Sequence, residues 1–182
     1  MTRQRAFSLV ELLVVLAVAI IVLALAIPDM RAMIRQHQLK TAVRDLYNAL
    51  DLARSQAMAR GERVMLAPLD PNDADWSGGW IIFVDRNGDQ RYGPADEAIS
   101  SHGPVSKGIS IIGAFSSQQP GKSYLAYNSA GRSCSATSSM AARWGAFALE
   151  QGDQQRRIVI NMLGRARVCD PLKDRAQCGA SP

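Results

Sequence analysis

Apolar side chains form one long block near the start of the chain. Residues 12–27 are all apolar, and only Ser8 and Glu11 interrupt the apolar stretch that begins at Ala6. A helix of about 22 residues that rises ~1.5 Å per residue spans ~33 Å, which matches the ~30 Å hydrocarbon core of a bilayer. The pattern therefore predicts a helix over residues 7–28 that can cross a membrane.

The residues on either side of this block indicate its orientation. Arg3 and Arg5 precede it, and the positive-inside rule then keeps the N-terminus in the cytoplasm and sends the rest of the chain outward. A cleaved secretory signal would also start with basic residues and an apolar run. The length of the run, and Pro28 and Asp29 in place of a small-residue cleavage site, argue against that alternative. We expect a single-pass protein of the bacterial inner membrane with its C-terminal domain in the periplasm.

A second helical pattern follows directly and predicts that the helix continues over residues 29–61. Its apolar residues recur every three or four positions, as they do on one buried helix face. Gly61 is a suitable stop residue, because glycine readily adopts the left-handed conformation at a helix end. The apolar positions are Leu39, Val43, Leu46, Leu50, Ala53 and Ala57.

Residues 62–182 have the pattern of a β-rich globular domain, with short β-type runs separated by Gly, Pro and Asn turn signals. These runs predict an antiparallel sheet that packs on the amphipathic half of the helix, which is an α+β fold. The stretch from Ser133 to Ala142 is of low complexity and is predicted to form a mobile loop. The predicted strands are residues 63–67, 79–85, 109–113, 124–127, 145–149, 157–161 and 165–169.

Glu11 is the unusual residue of the apolar block. A carboxylate within a membrane helix costs roughly 2.5–3.5 kcal/mol and normally has a partner. The string AFSLVE at residues 6–11, followed by the apolar run, resembles the class III signal of type IV pilins and type II secretion pseudopilins. The string departs from the family at Ala6, where glycine is usual. The alternative is a glutamate near the membrane surface whose side chain reaches water.

The resemblance implies a maturation step and an assembly role for these residues. A prepilin peptidase would remove residues 1–6 by cutting between Ala6 and Phe7, and would N-methylate Phe7. Glu11 would then pair with the terminal amine of Phe7 in a neighbouring subunit of a filament. Pro28 stands where helices of this family often carry a kinking proline.

Landmarks farther along the chain resemble the GspH/FimT branch of minor pilins and pseudopilins. The resemblance implies a type IV pilin-like fold, in which a long N-terminal helix packs on a C-terminal antiparallel sheet domain. It also implies a filament shared with other major and minor pilins or pseudopilins. The landmarks are the helix end at residues 46–60, WSGGWIIFVD at residues 76–85, GAF at residues 145–147 and RIVI at residues 157–160.

Sequence signatures of catalysis are weak in this chain. His37 and His102 lack neighbouring Cys or carboxylate residues at metal-ligand spacing. The string GKS at residues 121–123 resembles the end of a P-loop, but Ser116 stands where the earlier glycine is required. We therefore predict a non-enzymatic protein without a cofactor, and an enzyme held by an uncleaved anchor is the remote alternative.

The stretch DRNGD at residues 85–89 has the oxygen spacing of the start of a calcium loop. Its sixth position is Gln90, where an EF-hand requires glycine, and Asp96 replaces the bidentate glutamate. A turn at Asn87 and Gly88 accounts for the same residues. We predict no metal site, and calcium at residues 85–89 stays an open alternative.

Basic residues gather near the C-terminus of a chain whose net charge is +5. The string GRAR at residues 164–167 resembles the Gly-Arg-x-Arg motif of FimT-like minor pilins that bind DNA during natural transformation. Strand residues two apart lie on one face about 6.6–6.8 Å apart, so Arg165 and Arg167 could reach successive phosphates. Gly164 would allow the tight turn, while Ala166 and Val168 would point inward. The other basic residues of this predicted interface are Arg156, Arg157, Lys173 and Arg175.

Two alternatives remain for these arginines. Exposed arginines on a strand are often only a solvated face or a guard against edge-to-edge aggregation. A GspH-type minor pseudopilin of type II secretion could carry the same residues and bind no DNA. Aromatic residues do not alternate with the tail arginines, which disfavours recognition of single strands by stacking. The predicted nucleic-acid partner is therefore double-stranded DNA, bound without sequence preference.

The three cysteines predict one disulfide and one remaining thiol in an exported domain. A bridge between Cys169 and Cys178 would tie the C-terminal tail beside the arginine strand. Cys134 with either of these residues is the competing pairing, and the spacing alone leaves the choice open.

Overall fold

A computed structural model describes residues 9–70, 75–116 and 123–179, with the side chains of residues 23–29, 31, 175 and 177 excepted. The predicted leader and the cleavage site between Ala6 and Phe7 lie outside the described residues. The described helices and strands are α1 (Leu9–Arg60), β1 (Val64–Pro68), β2 (Trp80–Val84), β3 (Glu97–His102), β4 (Ser110–Phe115), β5 (Leu125–Tyr127), β6 (Ser133–Cys134), β7 (Gly145–Gln151), β8 (Gln154–Ile160), β9 (Ala166–Cys169) and α2 (Arg175–Cys178).

A first compact unit comprises residues 1–37 and contains the beginning of α1. The large apolar side chains between Leu9 and Val22 are exposed, from 75% for Leu9 to 51% for Leu16. Among the described side chains, no helical stretch combines the length and the apolar character needed to cross a bilayer. Glu11 and Pro28 both lie within α1.

A second compact unit comprises residues 38–182 and contains the remainder of α1 and the strands. The predicted apolar face of α1 is confirmed, because its residues Leu39, Val43, Leu46, Leu50, Ala53 and Ala57 are all buried. The helix ends at Arg60, and Gly61 has a φ of +68°. This left-handed conformation lets the chain leave the helix and enter β1 at the predicted stop residue.

Two antiparallel sheets follow, and with α1 they confirm the predicted α+β, pilin-like fold. Sheet 1 has the strand order β3-β2-β1-β5-β6, and sheet 2 has the order β4-β7-β8-β9. The main core joins residues of α1 to one face of each sheet, for example Leu46 to Leu66 of sheet 1 and Ile158 of sheet 2. We call the sheet faces that contribute to this core the inner faces and the opposite ones the outer faces.

The predicted strands all overlap observed strands, but the sequence pattern misses β3 and β6. Every residue of β3 is at least partly exposed, and β3 is the outermost strand of sheet 1. An edge strand of this kind buries no apolar stripe, so its sequence lacks the alternation that marks a half-buried strand. His102, which lies outside the strands predicted from the sequence, is the last residue of β3.

The predicted loop from Ser133 to Ala142 is confirmed only after its first two residues, because Ser133 and Cys134 form a strand. This segment begins with β6, which pairs with β5, and its Cys134 and Ala136 are buried. The backbone N–H of Ala136 donates a hydrogen bond to the Tyr124 hydroxyl (3.1 Å). Cys134 and Ala136 thereby join the buried cluster on the outer face of sheet 1.

Candidate nucleic-acid interface

The turn before β9 is built around Asn161 and Gly164. The Asn161 side-chain oxygen accepts hydrogen bonds from the backbone N–H groups of Leu163 and Arg165, both at 3.0 Å. Gly164 has a φ of +75°, and a Cβ there would lie 2.7 Å from both the Gly131 carbonyl oxygen and the Ser133 nitrogen. The backbone conformation and the lack of space both require glycine at this position, so the turn presents Arg165 in a fixed place.

β9 is the outermost strand of sheet 2 and pairs with β8. Arg167 lies opposite Val159, and Cys169 lies opposite Arg157. Residues directly opposite each other on paired strands share a face, so Arg157 and Arg167 both lie on the outer face of sheet 2. Arg167 is exposed and Arg157 is partly buried.

Three other positions in and before β9 differ in exposure. Arg165 is exposed, but it precedes the strand and lies in the turn. Ala166 packs against the main core, as predicted. Val168 also lies on the inner side, as predicted, since it is opposite the core residue Ile158, but it lines a cleft beside α1 and remains 46% exposed.

Arg156 lies on the other side of the sheet from Arg157, because successive strand residues alternate between faces. Its guanidinium forms an ion pair with the Asp170 carboxylate at 2.9 Å and donates a hydrogen bond to the Gln155 carbonyl oxygen at 2.6 Å. The predicted set of basic residues is therefore divided between two faces. Arg157 and Arg167 share the outer face, and Arg156 shares the inner side with Val168.

The C-terminal tail turns immediately after β9. The Asp170 carbonyl oxygen accepts hydrogen bonds from the backbone N–H groups of Lys173 (3.1 Å) and Asp174 (2.8 Å). Lys173 is exposed, and Arg175 begins the short helix α2. Lys173 therefore belongs to a turn that leads away from the strand, and not to the strand face itself.

The structure joins Cys169 to Cys178 by a disulfide, with the two Cα atoms 5.8 Å apart. Cys169 and Cys178 form a small cluster with Ala146 and Val159 on the outer face of sheet 2. Cys134 is a free, buried cysteine, and burial raises the pKa of its thiol to about 11. The bridge thus holds the tail against the sheet at the end of the arginine strand.

The remaining candidate residues have structural partners. Carboxylate oxygens of Asp85, Asp89 and Asp96 lie within 4.8 Å of one another. Each of these carboxylates accepts hydrogen bonds from backbone N–H groups of the loop between β2 and β3, at 2.7–3.1 Å. His102 stacks on Trp80 with ring centroids 4.3 Å apart. The three carboxylates therefore stabilise the loop between β2 and β3, and His102 packs on Trp80 of β2.

The comparison with known families decides the class of this protein. The family model described as Type II transport protein GspH matches residues 42–164, which is about two thirds of the chain. The chain belongs to the GspH family. A prokaryotic N-terminal methylation motif matches residues 1–27 of this GspH-family protein, in the region where we predicted the class III signal. It is accordingly a minor pilin or pseudopilin of a type IV pilus or a type II secretion system.

Individual relatives agree with this assignment. The GspH-family chain is 34% identical over 102 residues to the pilin-like protein PilA1 of Thermus thermophilus, a match that covers 56% of this chain and 61% of that relative. Two crystal structures of the type IV minor pilin FimU of Pseudomonas aeruginosa resemble the fold, with TM-scores of 0.54 and 0.56 and 20% identity. These alignments cover 71% and 74% of this chain and 91% and 90% of FimU, respectively.

The sequence analysis missed basic residues of α1 that the fold brings beside β9. Lys40 and Arg44 line a cleft of about 310 Å³ together with Arg156 and Val168. Their spacing of four residues places them on one face of the helix, next to the buried apolar face. That spacing was visible in the sequence, but nothing in it indicated that this face meets the arginine strand.

Proposed function

We propose that this GspH-family protein is a minor pilin of a type IV pilus that binds double-stranded DNA through the β9 edge during natural transformation. The observation that carries the proposal is the exposure of Arg165, in the turn before the outermost strand of sheet 2, and of Arg167, within that strand. The Gly164 turn holds the first of them, and pairing of β9 with β8 holds the second. Their guanidinium groups can donate several planar hydrogen bonds to phosphate oxygens.

Binding of this kind is electrostatic and independent of DNA sequence. We expect single-site dissociation constants on the order of 10⁻⁴ to 10⁻⁶ M, which weaken steeply as salt rises. Arg157, which shares the outer face with Arg167, would extend the contact by one strand. We expect a smaller contribution, through charge more than direct contact, from Arg156, Lys173 and Arg175. Arg156 is already paired with Asp170.

A gel-shift measurement on the full chain in a nonionic detergent tests the proposal. Arg165→Gln with Arg167→Gln should abolish the shift of duplex DNA at low salt. Arg91→Gln with Lys107→Gln is the matched control, because it removes the same charge from exposed positions outside sheet 2. Equal binding by both double variants and the unmodified chain would reject the β9 site.

We further propose that residues 7–28 anchor the protein in the inner membrane and then pack into the filament. The exposed apolar side chains between Leu9 and Val22 support this, because such a surface is costly in water unless lipid or another subunit covers it. A prepilin peptidase would cut between Ala6 and Phe7, and Glu11 would pair with the Phe7 amine of a neighbour.

Mass spectrometry of the native protein tests this maturation step. A chain that begins at N-methylated Phe7 is expected, and retention of residues 1–6 would contradict the proposal. Glu11→Ala should leave processing intact and lower incorporation into filaments. Normal incorporation of that variant would remove the proposed role of Glu11.

A second function is favoured by the description of the matching family, which is a type II transport protein. In that case the protein is a minor pseudopilin of type II secretion, and the β9 arginines bind no DNA. Deletion of the gene should then abolish protein secretion and leave transformation unchanged. The opposite pair of phenotypes would support the type IV pilus.

A further inference from the structure

A groove runs between α1 and the β9 edge within the second compact unit. Its first cleft has a volume of about 310 Å³ and is lined by Lys40, Val43, Arg44, Tyr47, Arg156 and Val168. Apolar side chains and one aromatic ring therefore lie beside three cations. The volume reaches the lower end of the range of about 300–1,000 Å³ that is typical of small-molecule pockets.

A second cleft of about 240 Å³ continues the groove along α1. Tyr47 lines both clefts, so the two clefts adjoin at this residue. Arg54 and Arg165 contribute cations to the second cleft, and Asp51 contributes a carboxylate. The Arg54 Nε atom is buried and has no hydrogen-bond partner among the described residues.

We infer that this groove binds single-stranded DNA, with a base stacked on Tyr47 and the backbone phosphates held by Lys40, Arg44 and Arg165. The inference rests on the proposed function, since it assigns a form of DNA to a protein proposed to bind DNA. Grooves that hold single strands combine cations that follow the backbone with an aromatic side chain that stacks a base. The clefts that adjoin at Tyr47 provide room for successive nucleotides of one strand.

The lining of the groove favours a single strand over duplex DNA. A duplex keeps its bases stacked inside and offers mainly phosphates to a surface of this kind, so it would make no use of Tyr47 or Val168. Both side chains are accessible, with 37% of Tyr47 and 46% of Val168 exposed. The outer-face arginines therefore suit duplex DNA, and the groove suits a strand whose bases are free.

The groove also carries the charge that a polyanion requires. Lys40 and Arg44 are exposed on α1, and Arg165 is exposed at the start of β9. Among the lining residues of the two clefts Asp51 is the one carboxylate, and Asp170, which pairs with Arg156, is not a lining residue. An acidic peptide from a neighbouring subunit has similar charge, but it gives no reason for an aromatic residue where the two clefts adjoin.

Fluorescence anisotropy with labelled oligothymidylate of about 12 nucleotides tests the inference on the full chain in nonionic detergent. Tyr47→Leu should weaken binding of this strand by about 5- to 150-fold and leave duplex binding within about twofold. Tyr47→Phe keeps the ring and should bind the strand like the unmodified chain. Circular dichroism confirms that each variant folds, which is expected because Tyr47 is partly exposed.

Lys40→Gln with Arg44→Gln tests the phosphate contacts. The slope of log affinity against log salt should fall by about 0.7 for each phosphate contact removed from the single strand. Arg91→Gln with Lys107→Gln, which lies outside the groove, should change the slope much less. Both glutamine substitutions in α1 keep good helix propensity, so the helix is retained.

Three results would overturn the inference, and the first two are distinct from failure of the proposed function. Unchanged oligothymidylate binding by both groove variants would exclude the groove while duplex binding at β9 stands. Loss of filament incorporation with unchanged DNA binding would assign the groove to a neighbouring subunit. Failure of the unmodified chain to bind either form of DNA would reject the proposed function and this inference together.

Discussion

The outer faces of the two sheets differ in what covers them. On sheet 1, Met65, Phe83 and Ala126 are buried in one cluster with Cys134 and Ala136 of the segment that begins with β6, which we call the cover of sheet 1. On sheet 2, Ile112 is 54% exposed, and Arg167 is exposed on the same face. Sheet 1 therefore has buried clusters on both faces of its inner strands, whereas sheet 2 keeps exposed side chains on its outer face.

The cover on sheet 1 is held by specific contacts at its end. Arg143 follows the segment and is fully buried, with its guanidinium 4.0 Å from the Tyr124 ring centroid and its Nε donating to the Tyr124 carbonyl oxygen at 3.1 Å. Burial lowers the pKa of Arg143, and Tyr124 opposes that shift. Sheet 2 has a smaller cover, namely the tail that the disulfide fixes beside Val159. Sheet 1 therefore adds a second buried cluster to the fold, whereas sheet 2 leaves Ile112 and Arg167 exposed.

The largest effect is expected from truncation of a side chain beneath the cover. Phe83→Ala should lower the free energy of unfolding by about 3–5 kcal/mol, because it leaves a cavity in the buried cluster on the outer face of sheet 1. Ile112→Ala, at the exposed face of sheet 2, should cost about 0.5 kcal/mol or less. Urea unfolding of the full chain in detergent, followed by fluorescence of the buried Trp76 and Trp80, measures both. Equal costs would show that the two outer faces do not differ.

Removal of the disulfide tests the smaller cover on sheet 2. Cys169→Ser with Cys178→Ser should lower the free energy of unfolding by about 2–3 kcal/mol, because the closed loop is short. Urea midpoints with and without a reductant provide the measurement. Reductant should reproduce the effect in the unmodified chain, whereas Cys134→Ala should keep its sensitivity to reductant. A reductant effect that disappears in Cys134→Ala would contradict the observed pairing.

A hydrogen bond of the sheet 1 cover should have an intermediate effect. Tyr124→Phe keeps the ring but removes the acceptor for the Ala136 N–H, which should cost roughly 1–2 kcal/mol. Hydrogen exchange at residues 133–142 should become faster in this variant. Thr137→Ala, at an exposed position of the same segment, is the control and should change neither value appreciably.

The smallest effect concerns the exposed ion pairs at the β3 edge. Hydrogen bonds from Arg60 and Arg86 lower the pKa of Glu97 below its ordinary value of about 4.3. A carboxyl whose folded-state pKa is lowered stabilises the fold above its unfolded pKa, and the contribution is lost as pH falls through the folded value. The urea concentration at the unfolding midpoint should therefore decrease as the pH is lowered below about 4. The decrease should be smaller in Glu97→Gln. An identical pH profile for the two proteins would show that these pairs do not contribute.

The predictability of the fold varied with how local each signal was. The buried face from Leu39 to Ala57 and the helix end before Gly61 are confirmed, because helix periodicity and a left-handed stop residue are encoded within a few positions. β6 and the burial of Cys134 and Ala136 were not predicted, because the small polar residues around them carry no hydrophobic alternation. β3 was missed because an edge strand buries too little to leave a pattern.

The sequence by itself determined the long helix, the apolar N-terminal block, the β-rich domain and the glycine turn before Arg165. These depend on periodicity, hydropathy and backbone conformation, which neighbouring residues specify together. The tertiary structure alone decided that Arg156 and Arg157 face opposite ways with different partners, and that Lys40 and Tyr47 lie beside Val168. Strand register and helix packing bring together segments that are far apart in the chain. Local sequence patterns therefore could not predict which of these side chains would lie close together.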